Sequence, residues 1–104
     1  MYEENYWLIV DRESKLKVWE HSKPEDVWEK MNKSQDWGQY GLFILSNVAP
    51  HIEWLISLAI SLKQDEPTPK RVTIQRNSDG ETINLLNYTA EEAERILRAW
   101  AKDE

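Results

Sequence analysis

The chain has 104 residues and no cysteine. This length is typical of one domain, and the lack of cysteine excludes disulfides, thiolate nucleophiles and cysteine-based metal sites. The net charge of −6 disfavours direct binding of nucleic acid, because an acidic surface repels phosphate groups. The longest apolar stretch, residues 48–62, is interrupted by polar residues and too short for a membrane span. We therefore expect one cytoplasmic domain over residues 1–104, without a membrane partner.

The first third of the chain predicts a hairpin. Residues 6–10 are aromatic or branched and favour a strand. After a polar turn at residues 11–14, Leu16 and Val18 alternate with other residues, which predicts a second strand with both side chains facing inward. Trp19 is out of phase with them and is expected on the opposite face of that strand.

A helix is predicted next. Ser22 and Glu25 have the spacing of a capping box, in which the serine caps the helix and the glutamate bonds back to its backbone. Val27 and Trp28 follow at positions that we expect to be buried or half-buried. The helix should fade at residues 32–34.

The middle of the chain predicts a buried strand and a long helix. Residues 42–45 are all apolar, which is typical of a strand covered on both faces. Residues 48–64 carry one narrow polar stripe at helical spacing, and their apolar arc is wider than one contact with a sheet needs. This helix is therefore either central in the fold or in contact with a second copy of the chain, and in the second case Trp54 and Leu58 are candidates for self-association.

The last third predicts a second hairpin and a capped helix. Residues 71–88 alternate around a turn at 77–80 whose residues tolerate positive φ. Thr89 and Glu92 form another capping box. The predicted order is ββ-α-β-α-ββ-α, an α+β domain in which three helices cover a mixed or antiparallel sheet.

No motif points to a catalytic chemistry. The two histidines, His21 and His51, lack the companions of a transition-metal site, and no phosphate-binding glycine loop or serine nucleophile motif is present. Asp11, Glu13 and Lys15 are a fragment of the carboxylate–lysine pattern that can hold Mg²⁺, but the preceding strand supplies no acid. No cofactor and no metal are expected, and the chain is expected not to be an enzyme.

The six tryptophans are the unusual feature of the composition. Trp37 and Tyr40 lie in a loop that contains glycine, and with Trp19 they are predicted anchors for a partner, because aromatic residues are enriched at interfaces. The favoured function is a small acidic protein-binding module, such as an inhibitor of the immunity type or a phage-encoded blocker of host defence. Its partner would be a protein, for example a basic one that binds nucleic acid, and a homodimer is also open.

Two other functions stay open at this point. The first is a regulatory domain that binds a small ligand or nucleotide through Trp37 and Tyr40. The second is a metal-dependent hydrolase that uses Asp11 and Glu13.

Overall fold

The computed structural model describes residues 3–30, 40–64 and 71–104. In this part of the chain five strands form one sheet, and three α-helices pack against it. The strands are β1 (Tyr6–Asp11), β2 (Trp28–Glu29), β3 (Tyr40–Leu45), β4 (Val72–Arg76) and β5 (Glu81–Asn84). The α-helices are α1 (Lys15–Glu20), α2 (Ile52–Lys63) and α3 (Ala90–Lys102). The predicted α+β class is confirmed.

The sheet has the strand order β2-β3-β1-β4-β5, and each neighbouring pair is antiparallel. The central strand is therefore β1. Leu8 of β1 lies opposite Phe43 of β3 and Ile74 of β4, and all three are fully buried. The two outer strands are β2 and β5, and β2 has only two residues.

The helices lie on one face of the sheet. Residues directly opposite each other in an antiparallel pair share a face, so Tyr6, Leu8 and Val10 point to the same side as Phe43. The ring of Tyr6 stacks on that of Trp100 in α3, with the centroids 6.1 Å apart. Trp7 and Ile9 alternate with these residues and therefore point to the other face.

The strand predicted over residues 15–20 is wrong, because this segment is α1. A 3-10 turn, Arg12–Ser14, precedes the helix, and Ser14 Oγ donates a 2.8 Å hydrogen bond to Asp11 Oδ1. Ser14 and Val18 are buried one helical turn apart, whereas Leu16, predicted to face inward, is 65% exposed. Two apolar residues, Leu16 and Val18, are too few to distinguish a strand from a short helix. The buried pair at helical spacing is Ser14 and Val18, and it was missed because Ser14 is polar.

The helix predicted from Ser22 is also wrong. Ser22 has a φ of 53°, in the left-handed region, whereas a helix N-cap needs an extended conformation. The Val27 N–H donates to the Pro24 carbonyl at 3.1 Å, which closes a turn. Trp28 then pairs with Ile44 as part of β2, so it lies on a strand and not on the predicted helix, with 48% of the residue exposed. The end predicted for this helix, residues 32–34, lies outside the described residues.

The remaining predicted elements are confirmed. Residues 41–45 of β3 are all buried, as expected for a strand covered on both faces. The helix α2 begins after a 3-10 turn, Ala49–His51, and its polar stripe faces outward at Glu53 and Ser57. The turn between β4 and β5 contains Gly80 with a φ of 75°, and Thr89 and Glu92 form both hydrogen bonds of the capping box.

A tryptophan-lined groove at the sheet edge

Exposed apolar side chains are concentrated at the edge of the sheet formed by β2. Three of them, Leu16, Trp19 and Trp28, come from α1 and β2. Trp19 and Trp28 are about half exposed and line a groove of about 350 Å³. This tryptophan groove has the following lining residues: Trp19, Lys23, Glu25, Val27, Trp28 and Glu29.

The ring of Trp19 is fixed in place although it is 49% exposed. Its Nε1 donates a 2.7 Å hydrogen bond to Glu29 Oε1, and its ring meets that of Phe43 edge to face at 6.4 Å. The ammonium group of Lys23 lies 4.6 Å from its centroid, a cation–π contact. The ring is thus held by contacts from two strands and from the segment that follows α1.

Glu29 joins the first helix to the edge strand. Its side chain is only 10% exposed, and Oε2 forms a 2.7 Å ion pair with Lys15 at the start of α1. Oε1 accepts the Trp19 hydrogen bond, so both carboxylate oxygens are engaged by residues of α1. Glu29 therefore positions Trp19 in the groove, and its charge is already neutralised by Lys15.

Lys23 occupies part of the groove and covers the edge of the sheet. Its ammonium group donates to the carbonyl oxygens of Pro24, at 3.0 Å, and of Val27. Val27 directly precedes β2, where an unpaired carbonyl could accept a hydrogen bond from another strand. A lysine at this position and a strand of two residues are both features that discourage pairing with a further strand.

The aromatic surface continues onto the face of the sheet opposite the helices. Ile44 of β3 pairs with Trp28 of β2 on one side and with Trp7 of β1 on the other. The three side chains therefore form one row across the sheet. Trp7 Nε1 donates to Glu4 Oε1 at 3.1 Å, and Lys30 pairs with the same oxygen at 3.1 Å. The hydrogen bonds from Lys30 and Trp7 lower the pKa of Glu4.

The two predicted anchors that the structure describes, Trp19 and Tyr40, do not share the groove. Tyr40 is exposed, with the Arg71 guanidinium 5.5 Å from its ring centroid, but it lies at the start of β3. Ile44, which neighbours Trp28, is four residues further along, or about 13 Å in an extended strand. Trp37 lies outside the described residues. Trp19 thus lines a groove with Trp28 rather than with Tyr40, and no short sequence pattern indicates that combination.

The two candidates for self-association on α2 both make contacts within the chain. Leu58 is 1% exposed and belongs to the core, so it offers no surface to a second copy. Trp54 is half-buried, and its Nε1 donates a 2.7 Å hydrogen bond to the His21 carbonyl. The wide apolar arc of α2 is thus largely covered within the chain, with Ile60, 42% exposed, as its main exposed apolar residue.

The histidines connect the segment after α1 to α2. His21 Nε2 lies 2.8 Å from Ser57 Oγ, and buried His51 has its Nε2 3.0 Å from Asp26 Oδ2. Both pairs cross the same packing contact, which supports a structural role. Within the described ranges, no three His, Asp or Glu side chains are placed to hold a metal ion.

Two residues of the Mg²⁺-like sequence fragment are engaged by other side chains. Asp11 accepts the hydrogen bond from Ser14, and Lys15 pairs with Glu29. Glu13 is exposed in the 3-10 turn.

A second, larger concavity of about 750 Å³ lies at the start of β1. One arginine, Arg76, lines this concavity. Five carboxylates line it as well: Glu3, Glu4, Asp79, Asp103 and Glu104. The Arg76 guanidinium pairs with Asp79 at 2.6 Å, Glu81 at 2.9 Å and Asp103 at 3.6 Å. The hydrogen bond to Asp79 raises the pKa of Arg76 and lowers that of Asp79. The guanidinium is therefore already neutralised and is poorly placed to receive a phosphate.

Comparison of this chain with protein-family models, with curated proteins and with solved structures found no match. No helix within residues 3–30, 40–64 and 71–104 is long and apolar enough to cross a membrane.

Proposed function

We propose that this chain is a non-catalytic protein-binding module of the cytoplasm, with the tryptophan groove as its contact surface. It acts by occupying its partner, as inhibitors and immunity proteins do. Trp19 and Trp28 are the anchors in this proposal, and the chain's net charge of −6 attracts a basic partner.

The observation that carries the proposal is the fixed position of Trp19. A side chain that is half exposed gains little from burial in the fold, yet this ring has a hydrogen bond, an edge-to-face ring contact and a cation above it. An aromatic side chain ordered before binding loses little conformational entropy on contact with a partner. Residues of this kind, at the centre of an interface, contribute most of the binding energy.

The groove favours side-chain recognition over addition of a strand. The edge at β2 is short, and Lys23 already donates to the carbonyl of Val27. A partner strand could not pair there without displacing this lysine. The partner is therefore expected to insert side chains between Trp19 and Trp28.

Binding of a nucleotide is the weaker alternative. The larger concavity is lined by carboxylates, and its Arg76 is paired with three of the chain's own acids. A phosphate group would face net negative charge there. The nucleotide hypothesis names Trp37 and Tyr40. The ring of Tyr40 is contacted by Arg71, but Tyr40 lies at the end of β3 that is remote from this concavity.

Co-purification from cells of the natural source tests the proposal. The tagged wild type should retain one protein at near-equal stoichiometry, and the double variant Trp19→Ala/Trp28→Ala should lose it. Each substitution is expected to weaken binding by about 2 kcal/mol, roughly 30-fold, as for aromatic hot spots.

The matched control is Ile60→Ala, which removes an apolar side chain of similar exposure from α2. This variant should retain the partner as the wild type does. Equal retention of the partner by the double variant and the control would show that the groove is not the contact surface.

A further inference from the structure

We infer that the tryptophan groove accepts a cationic side chain, best an arginine, from a basic partner, and that Lys23 is an internal competitor for this position. The inference rests on the function proposed above and specifies the chemistry that the groove recognises. The groove is lined by charged side chains that differ in the partners they already have.

The groove already holds one cation of its own. The Lys23 ammonium lies 4.6 Å from the Trp19 centroid and donates to the carbonyl oxygens of Pro24 and Val27. A ring face and converging carbonyl oxygens are the groups that stabilise an ammonium or guanidinium ion. Because these groups have fixed positions, a cation from another protein could use the same contacts.

One carboxylate of the groove remains available for a second charge. Glu29 is neutralised by Lys15 and bonded to Trp19. Glu25 is exposed and has no hydrogen bond or ion pair with any other residue in the described part of the chain. An incoming cation would therefore find the ring face of Trp19 and an uncompensated carboxylate at Glu25.

The size and shape of the groove suit one side chain. Its volume of about 350 Å³ is at the lower end of the range of ligand sites, roughly 300–1,000 Å³. A guanidinium group is planar, stacks on aromatic rings and loses less hydration than an ammonium group. Arginine should therefore displace Lys23 from Trp19 more readily than a second lysine would.

The test uses a capped peptide of glycine and serine with three arginines, and the same peptide with neutral citrulline in their place. Binding to the full chain is followed by NMR through the indole N–H resonances, with that of Trp19 assigned from Trp19→Phe. The arginine peptide should move the Trp19 resonance, and the citrulline peptide should not.

Lys23→Ala is the decisive variant because it removes the competitor. It should bind the arginine peptide at least fivefold more tightly than the wild type. Lys102→Ala, which removes an exposed positive charge at the end of α3, should change the affinity less than twofold. If Lys23→Ala does not fold, Lys23→Gln takes its place, because it removes the charge and keeps a hydrogen-bond donor.

Three results would overturn the inference: equal binding of the citrulline peptide, an unmoved Trp19 resonance, or equal effects of Lys23→Ala and Lys102→Ala. The last would mean that only the overall charge matters. These failures are distinct from failure of the proposed function. If the peptide does not bind but the partner is still lost from Trp19→Ala/Trp28→Ala, the groove binds a protein through other chemistry.

Discussion

Trp19 Nε1 and Glu29 Oε1 are 2.7 Å apart, and their hydrogen bond connects the first helix to the edge strand of the sheet. This contact satisfies the polar end of the indole and leaves about half of the side chain exposed. The carboxylate that accepts it is itself nearly buried and paired with Lys15. The half-exposed ring of Trp19 is thus held in position by the ion pair of Glu29 with Lys15.

Replacing this carboxylate should destabilise the fold and release the ring. Glu29→Ala is expected to cost about 1.5–3 kcal/mol, the usual contribution of hydrogen bonds to a charged group. Glu29→Gln should cost less, because its amide oxygen can still accept from Trp19 while the ion pair with Lys15 is lost. The free energy of unfolding in urea measures both. Equal losses for the two variants would mean that the Trp19 hydrogen bond contributes nothing.

The close approach of α1 to the sheet gives a second prediction. A Cβ on Gly41 would lie 2.9 Å from Val10 Cγ2 and 3.1 Å from Lys15 Cγ, closer than side chains normally pack. Gly41→Ala should therefore cost about 1–3 kcal/mol through overpacking. In Gly41→Ala/Val10→Ala the nearest contact is gone, so the double variant should lose less stability than the sum of the two single variants. Strict additivity of the unfolding free energies would contradict this packing.

The second half of the chain could be predicted from sequence because its signals are local. Thr89 and Glu92 satisfy each other's backbone groups within one turn, and Gly80 adopts the positive φ that its turn requires. Neither contact depends on distant residues. The alternation of β4 and β5 likewise reflects the two faces of one sheet, because Ile74 and Ile83 are paired and both are buried in the core.

The first third could not be predicted because tertiary contacts determine it. Ser22 occurs in a left-handed conformation that its sequence neighbours do not indicate, and Trp28 joins the sheet only through its pairing with Ile44. The groove depends on both features. The sequence phase predicts Trp19 on the strand face opposite Leu16 and Val18, whereas the residue lies on a helix.

The pH dependence of stability should reflect the Arg76 cluster. The hydrogen bond from Arg76, and then that from the Glu81 backbone N–H, hold the pKa of Asp79 below its ordinary value. The contribution of ionised Asp79 to the free energy of unfolding is therefore fully present above the unfolded-state pKa, near 4. It is lost as the pH falls through the lower folded-state pKa. The difference in Tm between the wild type and Asp79→Asn should shrink as the pH is lowered below about 4. Glu13→Gln, which removes an exposed carboxylate from the 3-10 turn, controls for net charge. The same narrowing of the Tm difference in that control would contradict a specific role for Asp79.

The two sides of α2 should respond in opposite ways to a charge. Leu58 is 1% exposed, so Leu58→Glu would bury a carboxylate without a partner and should prevent folding. Ile60 is 42% exposed, and Ile60→Glu should stay folded within about 1 kcal/mol and keep the molar mass of the wild type. Circular dichroism and light scattering of the three proteins measure both outcomes. If the wild type were a dimer and Leu58→Glu a folded monomer, α2 would meet a second copy of the chain rather than its own core. The packing of Leu58 inside the hydrophobic core argues for the first outcome, because a helix that supplies the core cannot also expose that side to a partner.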